Sequence, residues 1–216
     1  MAARTILCFG DSNTHGTCAM RTAGDRRRHP RAERWPIVMA ADLGADWEVI
    51  AEGHPGRTAV FADPIEGPHK NGQAVLPVLL ETHRPLDLVI VMLGTNDLKA
   101  RFGQSAHDVA LGVRRLACDI QASDSGPGAA APEVLLAAPA CVREAGVLAQ
   151  TFAGADAKSV EVPRLIAAVA ERQGAHFADM SAVAEVDPVD GVHLSSAAHA
   201  AIGAALATAV REIFKD

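Results

Sequence analysis

Leu86-Asp87-Leu88-Val89-Ile90-Val91-Met92-Leu93 is the stretch whose reading decides the fold. Its near-continuous apolar character is what a parallel strand covered on both faces requires. It stops abruptly at Gly94-Thr95-Asn96-Asp97, a polar segment that marks the end of the strand.

The same punctuation recurs on either side of it. Ile6-Leu7-Cys8-Phe9 reads as a first strand ending in Gly10-Asp11-Ser12, and Trp47-Glu48-Val49-Ile50-Ala51 as a second ending in Gly53-His54-Pro55-Gly56. Val134–Ala138 is a fourth strand, broken by Pro139, and His176–Asp179 a short fifth. Between them lie helical segments: from Trp35-Pro36 to Leu43, over 74–83 with Pro77 placed near the first turn, over 105–123, over 159–173, and an alanine-rich helix from Ser196 to about Phe214. Strands alternating with helices mean an α/β fold with a parallel sheet and helices on both faces. Five strands suit a three-layer α/β/α domain spanning 1–216, with the flavodoxin-like strand order 2-1-3-4-5. Its switch point lies between strands 1 and 3, so Ser12 and Asn96 are expected to line a site there, reached by the loops after strands 2 and 5.

Length and composition bound the reading. A chain of 216 residues, 49% hydrophobic, is enough for one well-buried domain. The net charge of −6 gives no electrostatic footprint for nucleic acid, and the Arg26-Arg27-Arg28 run, flanked by Asp25 and Glu33, reads as a solvated loop. No apolar run approaches the roughly 20 residues needed to span a bilayer. The four cysteines, Cys8, Cys18, Cys118 and Cys141, have no metal-ligand spacing, and Cys8 reads as a small buried hydrophobe. With no leader pattern before the first strand, a cytoplasmic, thiol-reduced protein is expected.

The polar Gly-rich segments all follow strands, on one edge of the sheet, which is the strongest sequence argument for a site. Ser12 needs a base to act as a nucleophile, because its hydroxyl is almost wholly protonated at neutral pH. His193 is the best candidate. Asp190 precedes it by three residues, so one turn can hold both side chains together, with the carboxylate on one ring nitrogen and the other nitrogen left for the Ser12 proton. Donors for a developing oxyanion are available from the Ser12 N–H, the Gly56 N–H and the Asn96 amide, and Pro55 stiffens its loop without removing the Gly56 donor. His15 and His54 flank this region and are expected to touch substrate, while Asp11 and Asp97 are read as holding their loops.

Taken together, Gly10-Asp11-Ser12, Gly53 through Gly56, Gly94-Thr95-Asn96-Asp97 and Asp190 through His193 resemble, in order and from end to end, the four blocks of the SGNH (GDSL-type) hydrolase family. Cys8 to Gly16, Glu33-Arg34-Trp35 and Val91 to Lys99 most resemble its bacterial arylesterase/acyltransferase group. The resemblance implies an esterase for short acyl esters, with Ser12, Asp190 and His193 catalytic and Ser12, Gly56 and Asn96 in the oxyanion hole. It implies no metal or organic cofactor, transfer of the acyl group to water, alcohols or peroxide, and assembly as a homo-oligomer. Two departures stand out: Pro55 occupies a position where the family often has serine, and Pro139-Ala140-Cys141-Val142-Arg143 replaces a proline run after strand 4. That segment is expected to border the acyl or alcohol pocket, with Pro139 and Cys141 as substrate contacts. Competing readings are a metal-dependent phosphoesterase using Asp11, Asn96, Asp97, Asp190 and His193, a thioesterase or peptidase with the same triad, and a non-catalytic binding module on this fold.

Overall fold

The computed structural model describes residues 3–215. Five parallel strands, β1 (Arg4–Gly10), β2 (Trp47–Gly53), β3 (Leu88–Met92), β4 (Glu133–Ala138) and β5 (His176–Asp179), form one sheet in the order β2-β1-β3-β4-β5. The sequence expectation of strand order is met. Among the described residues six α-helices connect and cover them: α1 (Ser12–His15), α2 (Trp35–Leu43), α3 (Gly72–His83), α4 (Ala106–Gln121), α5 (Ala155–Gln173) and α6 (Ser196–Ile213).

The two-residue period of the strands sorts the core into two layers. Leu7 and Phe9 of β1, Val89 and Val91 of β3 and Leu136 of β4 face α3, α4 and α5, where Leu76, Val113, Leu116 and Ile166 meet them. Ile6 and Cys8, Leu88 and Ile90, and Leu135 face the other way, onto Trp35 and Met39 of α2 and Ile202, Leu206 and Val210 of α6. Each strand of the centre is therefore apolar on both sides, which is why its sequence shows no alternation. Trp35 is core, and burial pushes the Cys8 thiol pKa up, leaving it inert.

Three helical boundaries differ from the sequence expectation. The turn after Gly10 closes as a short helix, α1, with the Asp11 side chain accepting from the Asn13 N–H (2.9 Å). Pro77 lies in the interior of α3, on its exposed side, where the Gln73 carbonyl it frees can meet water. Finally, α5 begins at Ala155 and runs through Pro163, which is buried. Among the described residues no helix is long and apolar enough to cross a membrane.

Candidate active site

All the loops that follow the carboxyl ends of β1, β2, β3 and β4 and the loop before α6 contribute to one cavity of about 330 Å³. Ser12, Gly56, Asn96 and His193 lie on its wall together, as the strand order requires.

Each is placed by its own element. Ser12 opens α1 directly after its N-cap Asp11, and as the first helical residue its N–H has no intrahelical acceptor. Close approach of backbones sets this corner: a Cβ on Gly53 would stand 2.1 Å from the His15 nitrogen, so β2 ends in glycine where it passes under α1. Asp190 is completely buried and collects four donors. Its Oδ1 accepts from the Val192 and His193 N–H groups (both 3.0 Å), and its Oδ2 accepts from the Met20 N–H (2.7 Å) and lies 2.6 Å from His193 Nδ1. Burial alone pushes the Asp190 pKa up, but the His193 ring, the His193 N–H and the Met20 N–H outweigh it and hold the carboxyl below its usual range. An imidazole held at Nδ1 by a carboxylate has Nε2 free to take a proton. A further bond, Asn13 Nδ2 to the Val192 carbonyl (3.0 Å), ties the start of the chain to this loop.

The donor side is built from two strand ends. Gly56 has φ +81°, in the left-handed region, and its N–H finds no acceptor among the described residues. The Asn96 amide donates to the Arg57 carbonyl (3.1 Å) and, more loosely, to Asp11 Oδ2 (3.3 Å). An oxyanion beside Asn96 therefore competes with Asp11 for one amide hydrogen. Burial pushes the Asp11 pKa up against the Asn13 N–H bond and the charges of His193 and Arg57. Asp97 is wholly buried, and both its oxygens accept from the Ala59 N–H (2.9 and 3.1 Å); burial lifts its pKa to about 7. Asp11 and Asp97 thus hold loops, as the sequence implies. Arg57 holds them too: its guanidinium donates to the carbonyls of Gly10 (2.8 Å) and Glu52 and lies over the Phe9 ring.

The remaining expected contacts divide. His15 and Pro55 are on the cavity wall; burial, with the charges of Arg28, Arg34 and His54, lowers the His15 pKa to about 4. His54 is not on the wall; its Nε2 lies 3.3 Å from Lys70 Nζ. Pro139 and Cys141 do not line the cavity either, which corrects the expectation for them. Pro139 is buried at the end of β4, and Cys141 Sγ donates to the Ser159 carbonyl (3.7 Å), the acceptor that Pro163 leaves without its helical N–H. Ser159 Oγ in turn accepts from the Val142 N–H (3.1 Å), so this segment is anchored on α5. The stretch after β4 does reach the cavity, but through Leu148, Thr151 and Phe152.

Sequence reasoning missed the charged part of the wall. Lys99 is nearly buried and pairs with Glu66 (2.6 Å), and Arg101 bridges Asp63 (3.1 Å) and Glu66 (3.3 Å), so the loop after β2 is clamped to the loop after β3. Arg26 of the expected solvated run also reaches the wall. Among the described residues no three or more His, Cys, Asp or Glu side chains are grouped to hold a metal ion.

This geometry has known counterparts. The model of the GDSL-like lipase/acylhydrolase family matches residues 8–201. The aryl esterase of M. smegmatis superposes with a TM-score of 0.93 at 40% identity, covering 98% of this chain and 100% of the other. A carbohydrate acetylesterase from Sinorhizobium meliloti gives 0.94 at 35% identity with the same coverage. A lipase/acylhydrolase from Enterococcus faecalis, 20% identical with a TM-score of 0.70, shares the fold. A search of the curated proteins finds no match. With its family blocks converging on one cavity and the match running nearly the length of the sequence, the chain belongs to the GDSL-like lipase/acylhydrolase family and is a hydrolase of the GDSL esterase type.

Proposed function

We propose that the protein hydrolyses short-chain acyl esters of aryl or alkyl alcohols through an acyl-Ser12 intermediate. The Ser12 hydroxyl attacks the ester carbonyl while its proton passes to His193 Nε2, and Asp190 holds Nδ1–H and stabilises the imidazolium. The oxygen that becomes negative is met by the Ser12 and Gly56 N–H groups and the Asn96 amide, the last releasing its long bond to Asp11. As the tetrahedral species collapses, the C–O bond to the leaving alcohol breaks and His193 returns the proton to that oxygen. Water, activated by the same imidazole, then attacks the acyl-serine and restores Ser12.

The observation that carries this reading is that His193, held by the buried Asp190 at 2.6 Å, shares a cavity wall with Ser12, Gly56 and Asn96. Support for a small acyl group comes from the modest cavity, walled by Leu148, Phe152 and Val192, and from esterases among the similar structures. Alcohols or peroxide compete with water as acceptor where that apolar wall disfavours water.

Intact-mass spectrometry after an organophosphonate, on the native chain and Ser12→Ala, tests the nucleophile. One adduct on the native chain, none on Ser12→Ala, and parallel loss of p-nitrophenyl acetate turnover are expected. An active, folded Ser12→Ala protein would overturn the mechanism. Adding an alcohol to the native assay and measuring the ester-to-acid product ratio tests transfer.

A further inference from the structure

Lys70 lines the cavity beside Gly56 and reaches the peptide that carries its donor. Its ammonium donates to the Pro55 carbonyl at 2.8 Å, and that carbonyl belongs to the same peptide unit as the Gly56 N–H. The nearest acidic side chain in the loop, Glu66, is taken by Lys99 at 2.6 Å and Arg101 at 3.3 Å, and Lys70 makes no ion pair among the described residues. Its main chain is fixed as well, since the Lys70 carbonyl accepts from the Thr58 N–H (2.9 Å). The second partner of the ammonium is His54 Nε2 at 3.3 Å. Burial, together with the charges of Lys70, Arg57 and His69, lowers the His54 pKa to about 4, so the ring is neutral near pH 7, and in its Nδ1–H tautomer Nε2 accepts from the ammonium. The His54 N–H is itself held by the Gly10 carbonyl (3.1 Å), which ties this arrangement back to β1 and Ser12.

We propose that Lys70, steadied by His54, is a positioning residue that polarises the Pro55–Gly56 peptide and aims its N–H at the oxyanion. An amide is a conjugated unit: a cation on its oxygen favours the charge-separated resonance form and leaves the N–H more positive. The ammonium also fixes the tilt of the peptide plane, hence the direction of the N–H. Both effects count for more when the substrate oxygen carries full negative charge than when it is a neutral carbonyl, so they act on kcat rather than on ground-state binding. The role rests on the reading of Gly56 as an oxyanion donor, and it gives the loop between β2 and α3 a task beyond closing the cavity.

Lys70→Met and Lys70→Arg separate polarisation from packing, with thermal melts checking that both fold. Lys70→Met is expected to lower kcat on p-nitrophenyl acetate about tenfold, a fraction of the cost of deleting an oxyanion donor, with KM nearly unchanged. Binding of phenylboronic acid, which forms a tetrahedral anion on the serine, is expected to weaken by the same factor. Lys70→Arg, which keeps charge and donor, is expected to recover most of both. Wild-type kcat and boronate affinity in Lys70→Met would overturn the proposal, as would a rise in KM in place of the fall in kcat, or equal impairment of the two variants. Phosphonate labelling of Ser12 keeps the two levels apart. A native chain that does not label at Ser12 removes the underlying mechanism, whereas normal labelling with an unimpaired Lys70→Met removes only the role of Lys70.

Discussion

Asp190 is buried beside His193 with two backbone donors on one oxygen and a third on the other, leaving a single place for the His193 ring. Asp190→Asn keeps the shape but presents an N–H₂ where His193 and the Met20 N–H need an acceptor, favouring the wrong imidazole tautomer. We expect kcat to fall about 10⁴-fold with the fold retained, read by p-nitrophenyl acetate turnover alongside circular dichroism. The residues of this pair were legible in the sequence because they are three positions apart and sit in a loop before a helix. Lys99, Arg101 and Glu66 were not, since their pairing joins loops more than 30 residues apart and leaves no local pattern. Cys141 was misread for a related reason. Its partner is the Ser159 carbonyl that Pro163 leaves free, and nothing in the sequence between positions 141 and 159 says that the two meet.

Among the elements, α6 carries a titratable side chain where none can be hydrated. His199 is fully buried, its Nδ1 faces the Trp35 main-chain N–H (3.4 Å), and its Nε2 has no partner among the described residues. Burial, then the charges of His29, Arg34 and His193, lower its pKa to about 3. Protonation would turn the acceptor facing Trp35 into a donor. The unfolded chain takes up that proton near pH 6.5 and the native chain does not, so the contribution of His199 to stability is full above about pH 6.5 and is lost as pH falls toward 3. The slope is at most about 1.4 kcal/mol per pH unit for one group. His199→Gln is expected to flatten the acid side of a plot of unfolding free energy against pH; urea titrations between pH 5 and 7.5 check this. At this scale strands were the most legible parts, because burial on both faces leaves an unmistakable apolar run. Helix starts were less so: α1 is four residues closed by a side-chain cap, and α5 begins after Gly154 with no side-chain cap, so neither announces itself.

At the scale of the whole molecule, the parallel sheet puts every strand's carboxyl end on one edge, and so the site follows from topology. Strand order and site location were therefore readable together: once five strands alternate with helices, Ser12 and Asn96 have adjacent places. The cavity's shape was not readable, because the loops that wall it are irregular.

The bonds from Asn13 to Val192 and from Met20 to Asp190 join positions 179 and 170 residues apart. Viewed in the order of synthesis, the proposed nucleophile Ser12 is made 181 residues before its proposed base His193. On the proposed mechanism the chain carries a harmless hydroxyl through that interval, and Ser12 becomes a reagent only when the loop carrying Asp190 and His193 docks. Stalled nascent chains ending before Asp187 are expected to leave a fluorophosphonate probe unreacted, and chains extended far enough to release α6 from the tunnel are expected to take it up. Esterase activity in this fold is thereby a signal that synthesis has passed His193.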